Sequence, residues 1–529
     1  MSAARKRLFH PIFFGLFPTL FLFACNADDL SLRSLWLPLT LTMTGALLTW
    51  GFYSLWIRDP QRAAAMTSLT LFLFFSYGHA LDIVQGWSLG PFQIAGHKDL
   101  GSLWIAFFLM GVLLLFRMRG FLNVLTLQLN ATSALLILFS LVYGSWNFID
   151  GHHLIPALQE HPDQPAGPQP NQRLPDIYYI ILDGYARADV LEEVYHYDNS
   201  PFIRWLQEKG FYVASLSRPN YANTLTSLSS SMNMSYLDSL ATLMGPNSKN
   251  LLPFQRLIRY GAVLRFLKQA GYTLVSFSTG VSGTEIRNAD VYLTPPLGLT
   301  GFQNELLNTT AIPALLKSYD LQRKLHRLRI LYTLEHLPRA TRLEGPTFVF
   351  AHIVCPHPPY IFDKEGHPAF LPRRFSFTPD ETLDWQAYAQ RYTDQLSFIT
   401  GKVQAAIEQI LKNSPSPPII VLQSDHGPGF HAKGDEKQYL RERIAILNAY
   451  YFPDKDYSSL YEEISPVNTF RIIFNQYLVG GFPLLGNRSY TSKSNFLYDF
   501  KPVLDQEEGC VSSNRRSERV NVTDQARCP

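Results

Sequence analysis

Five stretches of the first 150 residues carry no charged side chain: between Arg7 and Asp28, Arg33 and Arg58, Arg62 and Asp82, Asp99 and Arg117, and Arg119 and Asp150. A helix needs about 20 apolar residues to cross the hydrocarbon core of a bilayer. The stretches therefore predict spans near residues 9–26, 35–56, 63–81, 101–116 and 121–146, and they exclude a single water-soluble globule. Residues 1–150 hold nine Lys/Arg, six Asp and no Glu, whereas residues 151–529 hold 37 basic and 37 acidic side chains. The second part is formally neutral, which argues against a basic nucleic-acid binder.

The basic residues fall on alternate connections. Arg5, Lys6 and Arg7 precede the first span, Arg58 and Arg62 separate the second from the third, and Arg117 and Arg119 separate the fourth from the fifth. Basic connections stay in the cytoplasm, so the expected topology is multi-pass in the plasma (inner) membrane, with everything after Ile149 outside. A cleaved lipoprotein signal ending at Cys25 (Leu22-Phe23-Ala24-Cys25) is an alternative reading of the first span. It leaves the large C-terminal part outside in either case.

Residues 151–175 contain six prolines and no apolar period, the pattern of an extended linker. Beyond it, residues 176–480 read as one large domain. Residues 481–529 read as a C-terminal tail, in which Cys510 and Cys528 can pair in an oxidising exterior. Ile177–Leu182, Tyr272–Phe277, Thr347–Val354 and Pro418–Leu422 are continuous apolar runs, as expected of strands buried on both faces. Pro253–Gly271 and Asp384–Lys412 carry helical spacing. The alternation predicts an α/β fold with a mostly parallel central sheet.

Ligands of open α/β sheets gather beyond the carboxyl ends of the strands. Three of the predicted strands run into Asp183-Gly184-Tyr185, Cys355-Pro356-His357-Pro358-Pro359-Tyr360 and Asp425-His426-Gly427. Each alone fits a turn or a rigid corner. Together, two Asp and a His from separate strand ends make a mixed ligand set suited to Zn²⁺ or Mn²⁺, with a position left open. The segment Asn220–Ser230 supplies hydroxyls where a polar turn enters a helix. Free amides and the positive end of the helix dipole favour an incoming phosphate there. Such a hydroxyl is a weak nucleophile until a metal acidifies it.

The order Asp183-Gly184, Asn220…Thr224-x-x-Ser227, His357-x-Pro-Tyr360 and Ser424-Asp425-His426-Gly427 resembles the alkaline phosphatase/sulfatase superfamily. It looks most like the membrane-anchored branch, the lipoteichoic acid synthases and the phosphoethanolamine and phosphoglycerol transferases. The similarity covers roughly residues 175–480 and extends to the architecture of N-terminal spans followed by an exported domain.

This resemblance implies an alkaline-phosphatase-like fold in which Asp183, Asp425 and His426 ligate one divalent ion, Zn or Mn. Thr224 would be nucleophile and fourth ligand, with Thr226 as runner-up, and His357 would contact the transferred group or the leaving oxygen. It further implies transfer of a phospho-alcohol group from a membrane lipid donor to a glycan or lipid hydroxyl acceptor, through a covalent threonine intermediate and without nucleic acid.

The chain departs from the sulfatases in lacking Cys/Ser-x-Pro-x-Arg, with Thr224-Leu225-Thr226-Ser227 at that place. It departs from many membrane transferases in having Asp183 where they have Glu. Asp363-Lys364-Glu365-Gly366-His367 has a spacing reminiscent of a second metal set, His431 and Lys433 follow the Asp-His motif within reach of a substrate anion, and Tyr392 and Asp394 read as a surface cap. Two alternatives stay open: a phosphoric or sulfuric ester hydrolase of the same fold, and a non-catalytic anchored envelope protein.

Overall fold

The computed structural model describes residues 7–26, 30, 32–84, 88–89, 92–93, 97–117, 120–158, 174–296, 298–315, 319–369, 375–377, 383–429, 436–493 and 495–503. Cys510, Cys528, His431 and Lys433 lie outside them.

The charge-free stretches become five helices: α1 (His10–Cys25), α2 (Leu32–Trp56), α3 (Pro60–Val84), α4 (His97–Arg117) and α5 (Leu122–Leu158). Four are long and apolar enough to cross a membrane, over Ser34–Trp56, Pro60–Val84, Asp99–Arg117 and Leu122–Trp146. The fifth, α1, has only 16 residues, with Pro18 inside it. Helix α3 sits in the middle and packs against the other four. Its small residues Ala63, Ala64, Ala65, Ser68 and Gly78 let neighbouring backbones approach closely. The start of α1 is clasped by Asn130, whose Oδ1 accepts from the His10 and Phe9 amides at 3.1 and 3.3 Å and whose Nδ2 donates to the Arg7 carbonyl at 2.9 Å. Those first amides have no partner within a helix and need one.

Residues 151–158 correct the expectation of an extended linker, because α5 continues through them to Leu158. Elongating an existing helix needs no new nucleus, and five of the six prolines come at or after residue 162.

The large domain is built on a seven-stranded sheet: β1 (Ile177–Leu182), β2 (Tyr212–Val213), β3 (Thr273–Phe277), β4 (Val291–Leu293), β5 (Thr347–Ile353), β6 (Ile419–Gln423) and β7 (Asn448–Tyr451), in the order β2-β7-β6-β1-β5-β3-β4. Only β7 runs against the rest, so the mostly parallel α/β reading holds. Successive side chains of a strand point to opposite faces. Tyr178, Ile180 and Leu182 accordingly pack under the helix Trp385–Asn413, while Ile177, Tyr179 and Ile181 pack under Pro466–Tyr477 and Thr224–Asn233. Burial on both faces is why the strands read as unbroken apolar runs. In register, Leu182 lies beside Ile353 and Ile181 beside Gln423. The loops that follow β1, β5 and β6 therefore leave the sheet at one edge.

The segment expected as a tail also carries structure. A hairpin, β8 (Tyr490–Lys493) and β9 (Phe496–Pro502), buries Tyr490 and Tyr498. Tyr490 stacks on Tyr221 with ring centroids 5.3 Å apart, and Tyr498 stacks on Phe254 at 4.5 Å.

The domain touches the membrane helices through the helix Gly301–Thr309, which is started by a Thr300/Gln303 capping box. The Ala311 amide donates to the Phe74 carbonyl of α3 at 2.9 Å. Gly78 faces Asn308 so closely that a Cβ there would lie 1.9 Å from the Asn308 carbonyl oxygen. Gly78→Ala should therefore separate the two parts, despite the gain of about 1 kcal/mol in helix propensity. The expected net destabilisation is about 1–3 kcal/mol, the usual range for overpacking. Gly101→Ala, whose Cβ meets nothing within 4 Å, should show none of this loss. Thermal unfolding of the two variants in detergent checks the contrast.

Candidate active site

Three strand ends and one helix start meet at this edge of the sheet. After β1, Gly184 takes a left-handed φ of +76°, a conformation open to glycine at little cost. The turn is held by Tyr392, whose hydroxyl accepts from the Ala186 amide at 3.1 Å and donates to the Gly184 carbonyl at 2.9 Å. Tyr392 is thus a buried brace behind Asp183 and not the expected surface cap; its neighbour Asp394 stays outside, bonded to Gln390. After β6, the Ser424 hydroxyl accepts from the Tyr185 amide at 2.9 Å and donates to the His426 carbonyl at 2.6 Å, locking two loops together. Gly427 leaves room for the Glu442 carbonyl, which a Cβ would meet at 1.8 Å. After β5, the His357 amide donates to the Asp183 carbonyl at 2.9 Å.

Thr224 opens the helix Thr224–Asn233, with Asn223 as an extended N-cap residue. The Ser227 hydroxyl donates to the Asp425 carbonyl at 2.7 Å and pins this helix to the loop after β6. Thr224 Oγ1 then lies 3.0 Å from His426 Nε2. The runner-up, Thr226, is buried and spends its hydroxyl on the Asn223 carbonyl at 3.0 Å.

Asp183, Thr224, His357, Asp425 and His426, five side chains from four segments, therefore come together. His426 Nε2 is 3.4 Å from Asp425 Oδ2 and 3.6 Å from Asp183 Oδ1. Ligand atoms of Asp183, His357 and His426 lie within 4.8 Å of one another, as do those of Asp183, Asp425 and a residue absent from the sequence reading, His352. His352 Nε2 is 3.2 Å from Asp183 Oδ2, and its Nδ1 is 3.0 Å from the Thr284 hydroxyl.

The donors in this cluster fit a divalent cation. Asp183 Oδ1 and Asp425 Oδ2 are buried and have no hydrogen-bond partner among the described residues. His426 Nδ1 donates to the Gly427 carbonyl at 2.9 Å, which leaves the Nε2 lone pair facing the cluster, the arrangement of a ligating imidazole. His357 Nδ1 likewise donates to the Pro358 carbonyl at 2.7 Å and leaves its Nε2 free as an acceptor.

The charges agree with this. Burial pushes the Asp183 carboxyl up, but His357, His352 and His426 outweigh it and hold the group below the usual carboxylate range. Burial, and then the charge of Asp183, pushes Asp425 up to about 7. Two carboxylates this close do not both ionise unless positive charge stands between them. Burial and the neighbouring Arg443 lower His426 well below its ordinary value; burial also lowers His357, against the pull of Asp183.

Two contributors escaped the sequence reading. His352 lies inside a strand that reads as continuous apolar sequence, and the only available signal was one imidazole in that run. Arg443, at the end of the helix Glu436–Arg443, donates to His426 Nε2 at 3.0 Å and to the Ala222 carbonyl at 2.8 Å, and no local pattern marks it. Asp363, Glu365 and His367 form a separate, more exposed turn cluster, with His367 Nδ1 3.3 Å from Asp363 Oδ2.

A family model described as Sulfatase matches residues 175–472. No curated protein matches the chain. Among solved structures, the chain is similar to the C-terminal periplasmic domain of EcEptC from Escherichia coli in complex with Zn, at 11% identity and a TM-score of 0.40, over 63% of this chain and 93% of that one. It is similar to the integral membrane protein lipooligosaccharide phosphoethanolamine transferase A from Neisseria meningitidis, at 12% identity and a TM-score of 0.38, over 88% and 95%. It is also similar to a Bacteroides thetaiotaomicron protein of glycosaminoglycan metabolism (BT33494S-sulf), at 14% identity and a TM-score of 0.37, over 62% and 84%.

Metal uptake should carry the signature of Asp425. In metal-free protein its carboxyl holds a proton up to about pH 7, whereas the unfolded chain loses that proton near pH 3.9. The folded state thus binds the extra proton between these values, so metal-free stability should fall as pH rises through this window. A divalent ion must displace the same proton. Its affinity should weaken by about tenfold per unit as pH drops below 7 and level off above it. Calorimetric titration with Zn²⁺ or Mn²⁺ across pH 5–8, in buffers of different ionisation heat, checks both the slope and the released proton; Asp425→Asn should flatten the slope.

Proposed function

The chain belongs to the sulfatase family, and on that premise we propose that it is a membrane-anchored, metal-dependent transferase. It moves a phospho-alcohol group from a lipid phosphodiester to a glycan or lipid hydroxyl, through a covalent intermediate on Thr224. The reading rests above all on one observation: the hydroxyl of Thr224, the first residue of the helix Thr224–Asn233, lies 3.0 Å from His426 Nε2, beside two buried carboxylate oxygens that lack hydrogen-bond partners among the described residues.

In this proposal Asp183, Thr224, Asp425 and His426 hold one divalent ion, Zn or Mn. Bound there, the ion acidifies a hydroxyl and neutralises charge on phosphoryl oxygens. The protein's residues do the rest. The first amides of the helix, unused within it, face the phosphate. Thr224 Oγ1 attacks phosphorus in line, and the bond to the departing alcohol breaks. His357, neutral at rest and with Nε2 free, takes the proton of the entering hydroxyl in the second half-reaction. In the first half-reaction the same Nε2 takes the proton that Thr224 Oγ1 releases and passes it to the departing alcohol, and at the end of the second it returns a proton to the freed Thr224 oxygen. Arg443, whose Nη2 lies 3.0 Å from His426 Nε2, would turn from that nitrogen once the ion is held and add positive charge where the phosphoryl group gathers negative charge.

The anchor belongs to the same account. Five crossings, with the N-terminus in the cytoplasm, place the large domain outside and keep its catalytic edge beside a donor confined to the bilayer. The absence of Cys/Ser-x-Pro-x-Arg favours phosphoryl over sulfate chemistry within the family.

The test is a trap. Full-length protein incubated with phospholipid vesicles carrying ³²P in the headgroup phosphate should acquire acid-stable label. Thr224→Ala should abolish the label and lower transfer by about a thousandfold or more, while Thr226→Ala keeps it. Label that survives in Thr224→Ala refutes the threonine intermediate.

A further inference from the structure

Where α2 and α3 meet the helix Gly301–Thr309 there is a cavity of about 400 Å³, within the size range of ligand pockets. It is bounded on α2 by Leu37, Leu41, Gly45 and Thr49, and above by Leu299, Leu306 and Ile312 of the large domain. From Leu37 to Thr49 the wall runs about 18 Å along the helix at 1.5 Å per residue, close to the depth of one hydrocarbon leaflet, about 15 Å.

Among the described residues that line it, none is charged. Its hydroxyls are turned to their own backbone: Thr49 to the Gly45 carbonyl at 2.7 Å, Thr70 to Met66 at 3.0 Å and Thr310 to Leu307 at 2.7 Å. Gln303 closes the capping box with its Oε1 on the Thr300 amide. Water needs two or more polar partners to settle in a cavity, and these walls offer few. Leu37 and Leu41 are 58% and 63% exposed toward the surroundings of α2. The opening is therefore lateral, from the side where lipid lies.

The upper wall leads toward the catalytic edge. The Leu299 carbonyl accepts from Arg329 Nη2 at 3.0 Å, and Arg329 Nε donates to the Ser278 hydroxyl at 3.2 Å, just after β3. Ser282, against which Gly301 packs, begins the short turn that ends at Thr284, the partner of His352 beside Asp183.

We propose that this cavity is an acyl-chain slot. It takes one fatty chain of a membrane phospholipid sideways from the leaflet nearest the large domain, and so holds the headgroup at the Leu299–Gly301 end. As the seat of the donor's chain the slot rests on the function proposed above; as a lipid site it stands on the cavity alone.

Gly45 supplies the test, because a Cβ built on it meets nothing within 4 Å. Gly51 on the same helix is equally open but does not line the cavity. Full-length protein is reconstituted with equal parts of dioleoyl phosphatidylethanolamine and dioleoyl phosphatidylglycerol, and retained lipid is counted by native mass spectrometry. Wild type should keep one phospholipid through the ionisation. Gly45→Ala, Gly45→Leu and Gly45→Phe should lose it progressively, the last by at least about fivefold, while Gly51→Phe keeps it. The graded series guards against misfolding of the largest variant. Equal retention in Gly45→Leu, Gly45→Phe and Gly51→Phe overturns the slot. Retention is read without turnover, so the result does not depend on whether the protein transfers a phospho-alcohol group.

Discussion

Asp183 and Asp425 stand almost fully buried, at 3% and 2% exposure, at the ends of two strands paired along their length. Burying one carboxylate is costly, and burying two together is worse unless positive charge comes between them. The surroundings are arranged to answer that cost. Three imidazoles close on Asp183, the Gly184 amide donates to Asp425 Oδ1 at 3.3 Å, and Arg443 reaches the cluster-facing Nε2 of His426. What is left over, Asp183 Oδ1 and Asp425 Oδ2, lies on either side of His426 Nε2, at 3.6 and 3.4 Å. A cation among them satisfies what the protein alone does not.

The parallel sheet makes this convergence cheap to build. Strands β1, β5 and β6 are adjacent and in register, so residues one to four places past each strand end emerge side by side without further engineering. The remaining precision comes from short polar clasps between loops: Ser424 between two loops, Ser227 to Asp425, Tyr392 behind Gly184. Each fixes a loop whose own residues carry no regular hydrogen bonding.

This division explains how much was legible beforehand. Strands β1, β3, β5 and β6 announced themselves because burial on both faces forces an unbroken apolar run, and the polar residues just past them were therefore conspicuous. Thr224 was visible through its helix start and the Ser227 spacing. His352 was hidden by the same rule that exposed its strand, since a lone imidazole among Phe350, Ala351 and Ile353 reads as a tolerated core residue. Arg443 and Tyr392 act through tertiary contacts more than 15 positions distant along the chain, or more than 200, which local pattern cannot register. Strands β2, β4 and β7, two to four residues long, are too short for a period to show. Residues 151–158 and the hairpin at 490–502 read as linker and tail because proline content and polarity speak for loops unless a neighbouring element recruits them.

That hairpin has a consequence for the order in which the protein matures. The Tyr490 amide donates to the Asn220 carbonyl and the Ala222 amide to the Tyr490 carbonyl, each at 2.9 Å, while Asn223 Nδ2 reaches the Ser492 carbonyl across 269 positions. The loop that presents Thr224 is thus gripped by a strand made long after it. A growing chain therefore makes the three strand ends that follow Leu182, Ile353 and Gln423 before the strand that grips the Thr224 loop exists, and this grip on the helix start comes after all of them.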